Sequence, residues 1–334
     1  MSDAQWSQMT NCEKRKALFK LYAANLNALF PGVTDTFVCP FCQKSFGLDS
    51  VTGDNPAVIL AHCMPKRLKG KLVTLACADC DKRAGTELDV HLKNRLETED
   101  FYRGDTEGPH RVWIDVAGHK VRADFEITKG ADGNPTHSVI MNQEHSNPDA
   151  VRAVLEALHS GEAFKSVPTV YVGDRLDPDI AMSRLAVLRS AFLMMFRAFG
   201  YRYVFDDNLI RLRAQLLNPR DQILPTVTAI SLDETTDCLD AVGIVTEPEE
   251  MRSFFVPMLF LTESKRKIKK AVLLPGLGPD GDAIFERAQE HQTKNTRLDF
   301  RATVFKLDPR RLQDPKYARA VAQIWNRYNP KHNC

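Results

Sequence analysis

The sequence has no apolar run long enough to cross a membrane. Its longest apolar stretch, Leu185 to Phe199, is interrupted by Arg189 and Arg197, whereas a spanning helix needs about 20 mainly apolar residues. The N-terminus, MSDAQWSQMTNCEKRK, has no apolar core of a secretory signal, so a cytoplasmic protein is expected. Charge of one sign is also scarce. Lys and Arg number 45 against 43 Asp and Glu, a net +2 with a pI near 8.1, so any basic surface must be local. Internal repeats and low-complexity segments are missing, as are a nucleophile elbow and a dinucleotide fingerprint. The glycine-rich stretch PGLGPDG at 275–281 lacks the Gly-Lys-Ser/Thr ending of a phosphate loop, and its two prolines mark a plain turn.

What is present suits a folded chain of about two domains, with 334 residues of which 43% are hydrophobic. Cys12 to Leu29 reads as a helix carrying Leu18, Tyr22, Leu26 and Leu29 at spacings of four and three, stopped by Pro31-Gly32. Lys14, Arg15, Lys16 and Lys20 read as its solvated face. A cysteine-bearing segment follows from Phe37 to about Leu96 and ends in an amphipathic helix, buried along Leu88, Leu92 and Leu96. Two-residue alternation from Arg111 to Asn142, with turns at Ala117-Gly118 and Asp132-Gly133-Asn134, predicts a three-strand antiparallel meander. Helices are predicted at Pro148–Leu158, Ile180–Phe199, Asn208–Leu217 and Lys316–Tyr328. Strands are predicted at Thr169–Val172, Thr226–Leu232, Phe254–Leu261, Ala271–Leu274 and Arg301–Leu307. The fold class expected is α+β: an N-terminal helix at 1–36, a small zinc-stapled domain at 37–100, and a larger mixed domain at 105–330.

Four of the eight cysteines form two Cys-x-x-Cys pairs, Cys39/Cys42 and Cys77/Cys80, while Cys12, Cys63, Cys238 and Cys334 are scattered. Two intervening residues let both thiolates of a pair reach one tetrahedral ion at about 2.3 Å. The long stretch between the pairs is tolerable because loop-closure entropy grows only logarithmically. The competing reading is a thioredoxin-like redox pair. Two pairs, neither in a βαβ setting, favour one structural zinc ion.

Between and after the pairs the chain reads AHCMPKRLKGK (61–71) and LACADCDKRAG (75–85). In order and spacing these residues resemble the HNH endonuclease family, in the branch whose ββα-metal core is held by two zinc knuckles. The resemblance covers residues 37 to 96. It implies that His62 is the general base that takes a proton from attacking water, for which a neutral imidazole is suited near pH 7. It implies that Asp81, at a helix start, is a ligand for catalytic Mg²⁺ or another divalent cation. Two positions depart from the family pattern: Ala61 stands where a ligand usually precedes the base, and Asp81 where Asn or His is usual. Asp89 would lie roughly 12 Å along a helix from Asp81, too far to share an ion, and Asp49 or Asp54 would have to fold back to help.

Asp81 has a second reading as a helix cap. Lys66, Arg67, Lys69, Lys71, Lys82 and Arg83 form the densest basic cluster near the proposed site. They read as phosphate-backbone contacts or as a solvated face. A second run, Ser264 to Lys270, reads equally as a surface loop or another nucleic-acid contact. The function expected is divalent-metal-dependent hydrolysis of phosphodiester bonds in DNA, with RNA not distinguished and no membrane partner. Two further readings remain: a zinc-stapled nucleic-acid-binding module that kept the nuclease frame and lost catalysis, and a zinc-stabilised interaction protein without nucleic acid.

Overall fold

The computed structural model describes residues 3–106, 108–130, 134–164, 169–171, 179–226, 229–233, 241–277, 280–294, 300–306 and 325. In chain order its helices are α1 (Asp3–Gln8), α2 (Asn11–Leu29), α3 (Ala78–Ala84), α4 (Val90–Tyr102), α5 (Pro148–His159), α6 (Ile180–Phe199), α7 (Tyr201–Val204), α8 (Ile210–Leu217) and α9 (Ile284–Thr293). The first eight strands are β1 (Phe37–Val38), β2 (Ser45–Phe46), β3 (Val58–His62), β4 (Val73–Cys77), β5 (His110–Val116), β6 (His119–Lys129), β7 (Pro135–Met141) and β8 (Thr169–Tyr171). The remaining five are β9 (Ile230–Ser231), β10 (Ala241–Glu247), β11 (Phe254–Leu261), β12 (Lys267–Leu274) and β13 (Arg301–Lys306). The class is mixed α+β, and the strand pairs are antiparallel. No helix among the described residues is long and apolar enough to cross a membrane.

Compactness groups the chain into two units that are not successive in sequence. One comprises Met1–Val90, Ala181–Leu261 and Lys267–Cys334; the other comprises His91–Ile180 and Thr262–Arg266.

In the first unit, α2 begins at a capping box. The Glu13 amide donates to Thr10 Oγ1 and the Thr10 amide donates to Glu13 Oε2, at 3.3 and 2.7 Å, which satisfies two donors that the helix start leaves open. The buried stripe of α2 is Phe19, Tyr22, Ala23 and Leu26, so its centre lies one step from the predicted one and Leu18 is half-buried. Tyr22 stacks on Phe196 with ring centroids 4.4 Å apart, and Phe37 and Tyr201 meet Tyr22 edge-on. Arg15 is no mere surface charge, because its Nε donates to the Val51 carbonyl at 2.9 Å. Helix α6 is buried almost all round, as its largely apolar sequence requires. A five-stranded sheet in the order β13-β10-β11-β12-β9 completes the unit.

Strand β12 starts at Lys267, four residues before the predicted Ala271. The basic run at 264–270 is therefore a loop only as far as Arg266: Lys267 to Lys270 pair with Leu261 to Met258 across the sheet. Strand β10 and helix α9 have no sequence-based prediction. The first is a short apolar run interrupted by Gly243. The second carries only Ile284 and Phe285 as buried residues, too few to show a period. The predicted helix Lys316–Tyr328 lies outside the described residues except for Trp325.

In the second unit the predicted meander forms with β5 in register against β6 and β6 against β7. Ala117 and Gly118 both take positive φ, at 52° and 83°, the geometry of a two-residue hairpin turn that matches strand twist. Strand β8 joins the sheet beside β5, giving the order β7-β6-β5-β8. Val112, Ile114, Val121 and Ala123 on one sheet face pack with Val151, Val154 and Ala157 of α5. Asp100, fully buried in α4, is met by Arg266 and Ser264, so the first part of the basic run holds its own unit together.

Candidate metal centre

The first Cys-x-x-Cys pair occupies the turn between β1 and β2. Phe37 pairs with Phe46 and Val38 with Ser45, and Gln43 takes the left-handed conformation at φ 58° that lets the chain reverse. The Cys39 amide donates to the Lys44 carbonyl and the Gln43 amide to the Cys39 carbonyl, both at 3.0 Å. Tyr201 fixes this turn from beneath. Its Oη accepts from the Val38 amide at 2.7 Å and donates to the Val38 carbonyl at 2.9 Å, all buried. Replacing Tyr201 by Phe strands two buried backbone groups next to Cys39. We expect a loss of about 2–3 kcal/mol, read as a lower melting temperature, and an unchanged melting temperature would show that water replaces the hydroxyl.

The second pair sits at a strand-to-helix junction. Strands β3 and β4 form a hairpin with Val58 opposite Cys77 and His62 opposite Val73. Cys77 ends β4 and caps α3, whose first turn carries Cys80 and Asp81. The loop between the strands is closed by the Cys63 amide on the Leu72 carbonyl at 2.9 Å and the Gly70 amide on the Pro65 carbonyl at 3.2 Å. Only glycine fits at 70, because a Cβ there would lie 2.1 Å from the Met64 carbonyl oxygen.

These two elements bring the four cysteines together. Their sulfurs all lie within 4.8 Å of one another, and Cys42 Sγ is 3.7 Å from Cys77 Sγ. A tetrahedral ion with Zn–S bonds of about 2.3 Å spaces its sulfurs about 3.8 Å apart, so the donor set fits zinc without rearrangement. Within the quartet the Cys39 thiol beside them holds Cys77 and Cys42 below the ordinary thiol range, while the neighbouring sulfurs push Cys39 up; thiolate is the form that ligates metal.

His62 and Asp81 lie close enough at the hairpin–helix junction to feel each other's charge. Burial holds His62 below the usual histidine range, with Lys66 and Arg189 acting the same way and Asp81 opposing them. The Asp81 carboxylate is pushed up by burial, against the attraction of Arg189 and His62. Ala61 is fully buried opposite Thr74, whose hydroxyl meets Tyr22 Oη at 2.5 Å. That position contributes packing and no ligand.

Arg189 from α6 is the residue that sequence reasoning missed. It is 1% exposed, and its Nη2 lies 2.6 Å from Asp81 Oδ1 while its Nη1 lies 3.3 Å from Asp89 Oδ2. Its guanidinium carbon stands 5.9 Å from the centre of the Phe41 ring, inside the first knuckle. Asp89 therefore belongs to the same buried ion cluster as Asp81. Burial pushes it up to about 6, despite Arg189. The reason Asp81 and Asp89 meet one side chain is a π-helical turn at Gly85–Asp89. In a pure α-helix eight residues rotate about 80° past two full turns, and the wider i→i+5 turn slows that rotation, bringing Asp89 back towards the Asp81 face.

A divalent ion does not fit this arrangement. Asp81 Oδ1 is engaged by a permanent cation, and the cysteine quartet is the one group among the described residues with three or more ligand atoms close enough to share an ion. Asp49 and Asp54 are exposed and do not join it. The basic residues remain available: Lys66, Arg67, Lys69, Lys71 and Lys82 are exposed, Arg83 is half-buried, and none forms an ion pair among the described residues. Comparison with protein-family models, curated proteins and solved structures finds no match to this chain.

Proposed function

We propose that this protein is an HNH-type endonuclease that hydrolyses phosphodiester bonds in nucleic acid, DNA in the first instance. What carries the reading is the hairpin–helix unit itself: β3 ends at His62, β4 leads into α3, which carries Asp81, and the zinc-fitting quartet sits at the same junction. Neutral His62 accepts a proton from water as the water oxygen bonds to phosphorus. The bond from phosphorus to the leaving sugar oxygen breaks, and that oxygen takes a proton from solvent. Lys66, Arg67, Lys69, Lys71, Lys82 and Arg83 hold the backbone on either side, which sets affinity and register but not sequence preference.

A second reading is favoured by the buried Ala61 and by the engagement of Asp81 with Arg189: a module that binds nucleic acid and does not cut it. Supercoiled plasmid separates the two. Purified protein is incubated with Mg²⁺, with Mn²⁺ or without added metal, beside His62→Ala. The nuclease reading expects nicking by the wild type and a loss of at least about 100-fold in the variant, the usual contribution of a general base. If both proteins leave the plasmid intact yet retard it in a salt-sensitive manner, the nuclease reading is lost and the binding module stands.

A further inference from the structure

A buried arginine is costly unless it is paired, so its placement asks for a reason. Arg189 is the one charged residue on the buried face of α6 near the cysteine quartet, and its two terminal nitrogens are divided between two carboxylates on the helix that follows the second knuckle. Its remaining nitrogen, Nε, is buried without a hydrogen-bond partner. A guanidinium cannot be deprotonated in a protein and is more weakly hydrated than an ammonium, which suits it to a dry site. A divalent ion brought to Asp81 would meet this fixed positive charge at close range in a poorly screened environment.

We propose that Arg189 is the resident cation of this site, occupying the charge position that the nuclease frame otherwise gives to a divalent metal and reserving Asp81 and Asp89 for itself. The apolar Ala61 and the buried Arg189 are then parts of one arrangement. A metal site that lacks a ligand no longer needs the ion, and a built-in cation keeps Asp81 oriented towards His62. Arg189 is a positioning residue, since it is too buried to touch a substrate and acts through Asp81. The inference rests on reading β3, β4 and α3 as a nuclease frame, but its test requires no cleavage.

The test is Mn²⁺ binding to full-length, zinc-loaded protein, followed by loss of the free-ion signal in electron paramagnetic resonance. Wild type is expected to leave the signal unchanged up to about 1 mM Mn²⁺, beyond the range of ordinary oxygen-ligand sites. Arg189→Met uncovers two carboxylates and is expected to take up one Mn²⁺ per chain at least tenfold more tightly than wild type. Adding Asp81→Asn to that variant removes the ion. Arg189→Lys keeps the charge and is expected to behave as wild type. Micromolar Mn²⁺ binding by the wild type that Asp81→Asn abolishes overturns the inference, as does a folded Arg189→Met that takes up none. Should Arg189→Met fail to fold, wild type and Asp81→Asn decide between the first two outcomes. An inert plasmid assay would end the nuclease reading and leave this result standing.

Discussion

Replacing Cys77 by Ser is expected to abolish zinc binding by the quartet and to unfold the segment from Phe37 to Asp89. Wild-type protein should carry close to one zinc per chain by elemental analysis, and the variant almost none. The physical case rests on how little backbone pairing holds that segment. Strands β1 and β2 are two residues each, and β3 and β4 pair only with each other. A two-stranded hairpin is marginal in water, and the packing of Tyr22, Phe37 and Tyr201 must make up the rest. Structural zinc contributes roughly 10–16 kcal/mol of apparent binding free energy in small metallo-domains at neutral pH, enough to dominate such a balance. Cys77 is the most informative choice because it ends β4, occupies the N-cap position of α3 and belongs to the quartet at once. A strong chelator should reproduce the effect, and added Zn²⁺ should reverse it. A variant that keeps its near-ultraviolet circular dichroism and its melting curve without metal would show that the aromatic packing of Phe37 and Phe41 suffices alone.

Much of this arrangement could be read from the chain, for identifiable reasons. Cys-x-x-Cys spacing is a geometric constraint, so the quartet follows from the residues. The meander follows from strict alternation at Val112, Ile114, Val116, Val121 and Ala123, all buried. The span of α6 follows from its apolar sequence, but the role of Arg189 does not. A charged residue within an apolar helix reads as an interruption until its partners are known, and these lie 108 and 100 residues away in sequence. The π-helical turn was equally hidden, since no residue pattern in GTELD distinguishes a π-helical turn from an α-helical one, and without it Asp81 and Asp89 belong to different faces. The basic run at 264–270 divides in a way its composition does not reveal: Lys267 onwards is strand, while Arg266 turns to the buried Asp100. A single available signal could have singled out Arg189. It lies one residue beyond Leu188 and three before Phe192, on the face that the apolar spacing marks as core, where a charge without a carboxylate partner is rarely tolerated.

Arg189→Met should destabilise the protein by about 3–5 kcal/mol, the usual cost of removing one partner from a buried ion pair. On a unit of this size that lowers the melting temperature by on the order of 10 °C. The cost is not the energy of the contacts seen. Two carboxylates, both already pushed up by burial, lose the cation that makes them tolerable. Removing all three charges, in Arg189→Met with Asp81→Asn and Asp89→Asn, should therefore recover most of the loss, since an uncharged cluster of similar volume is often as stable as the ion pair it replaces. If the triple variant melts as low as the single one, the loss comes from packing against Phe41 and Phe192, and the charges are incidental. Mn²⁺ supplies the complementary check. An ion that binds only the folded state stabilises it by about 2.7 kcal/mol at a hundred times its dissociation constant. Added Mn²⁺ should accordingly raise the melting temperature of Arg189→Met by several degrees and leave wild type and the triple variant unmoved. The three responses together separate a side chain that fills space from one that stands in for a metal ion.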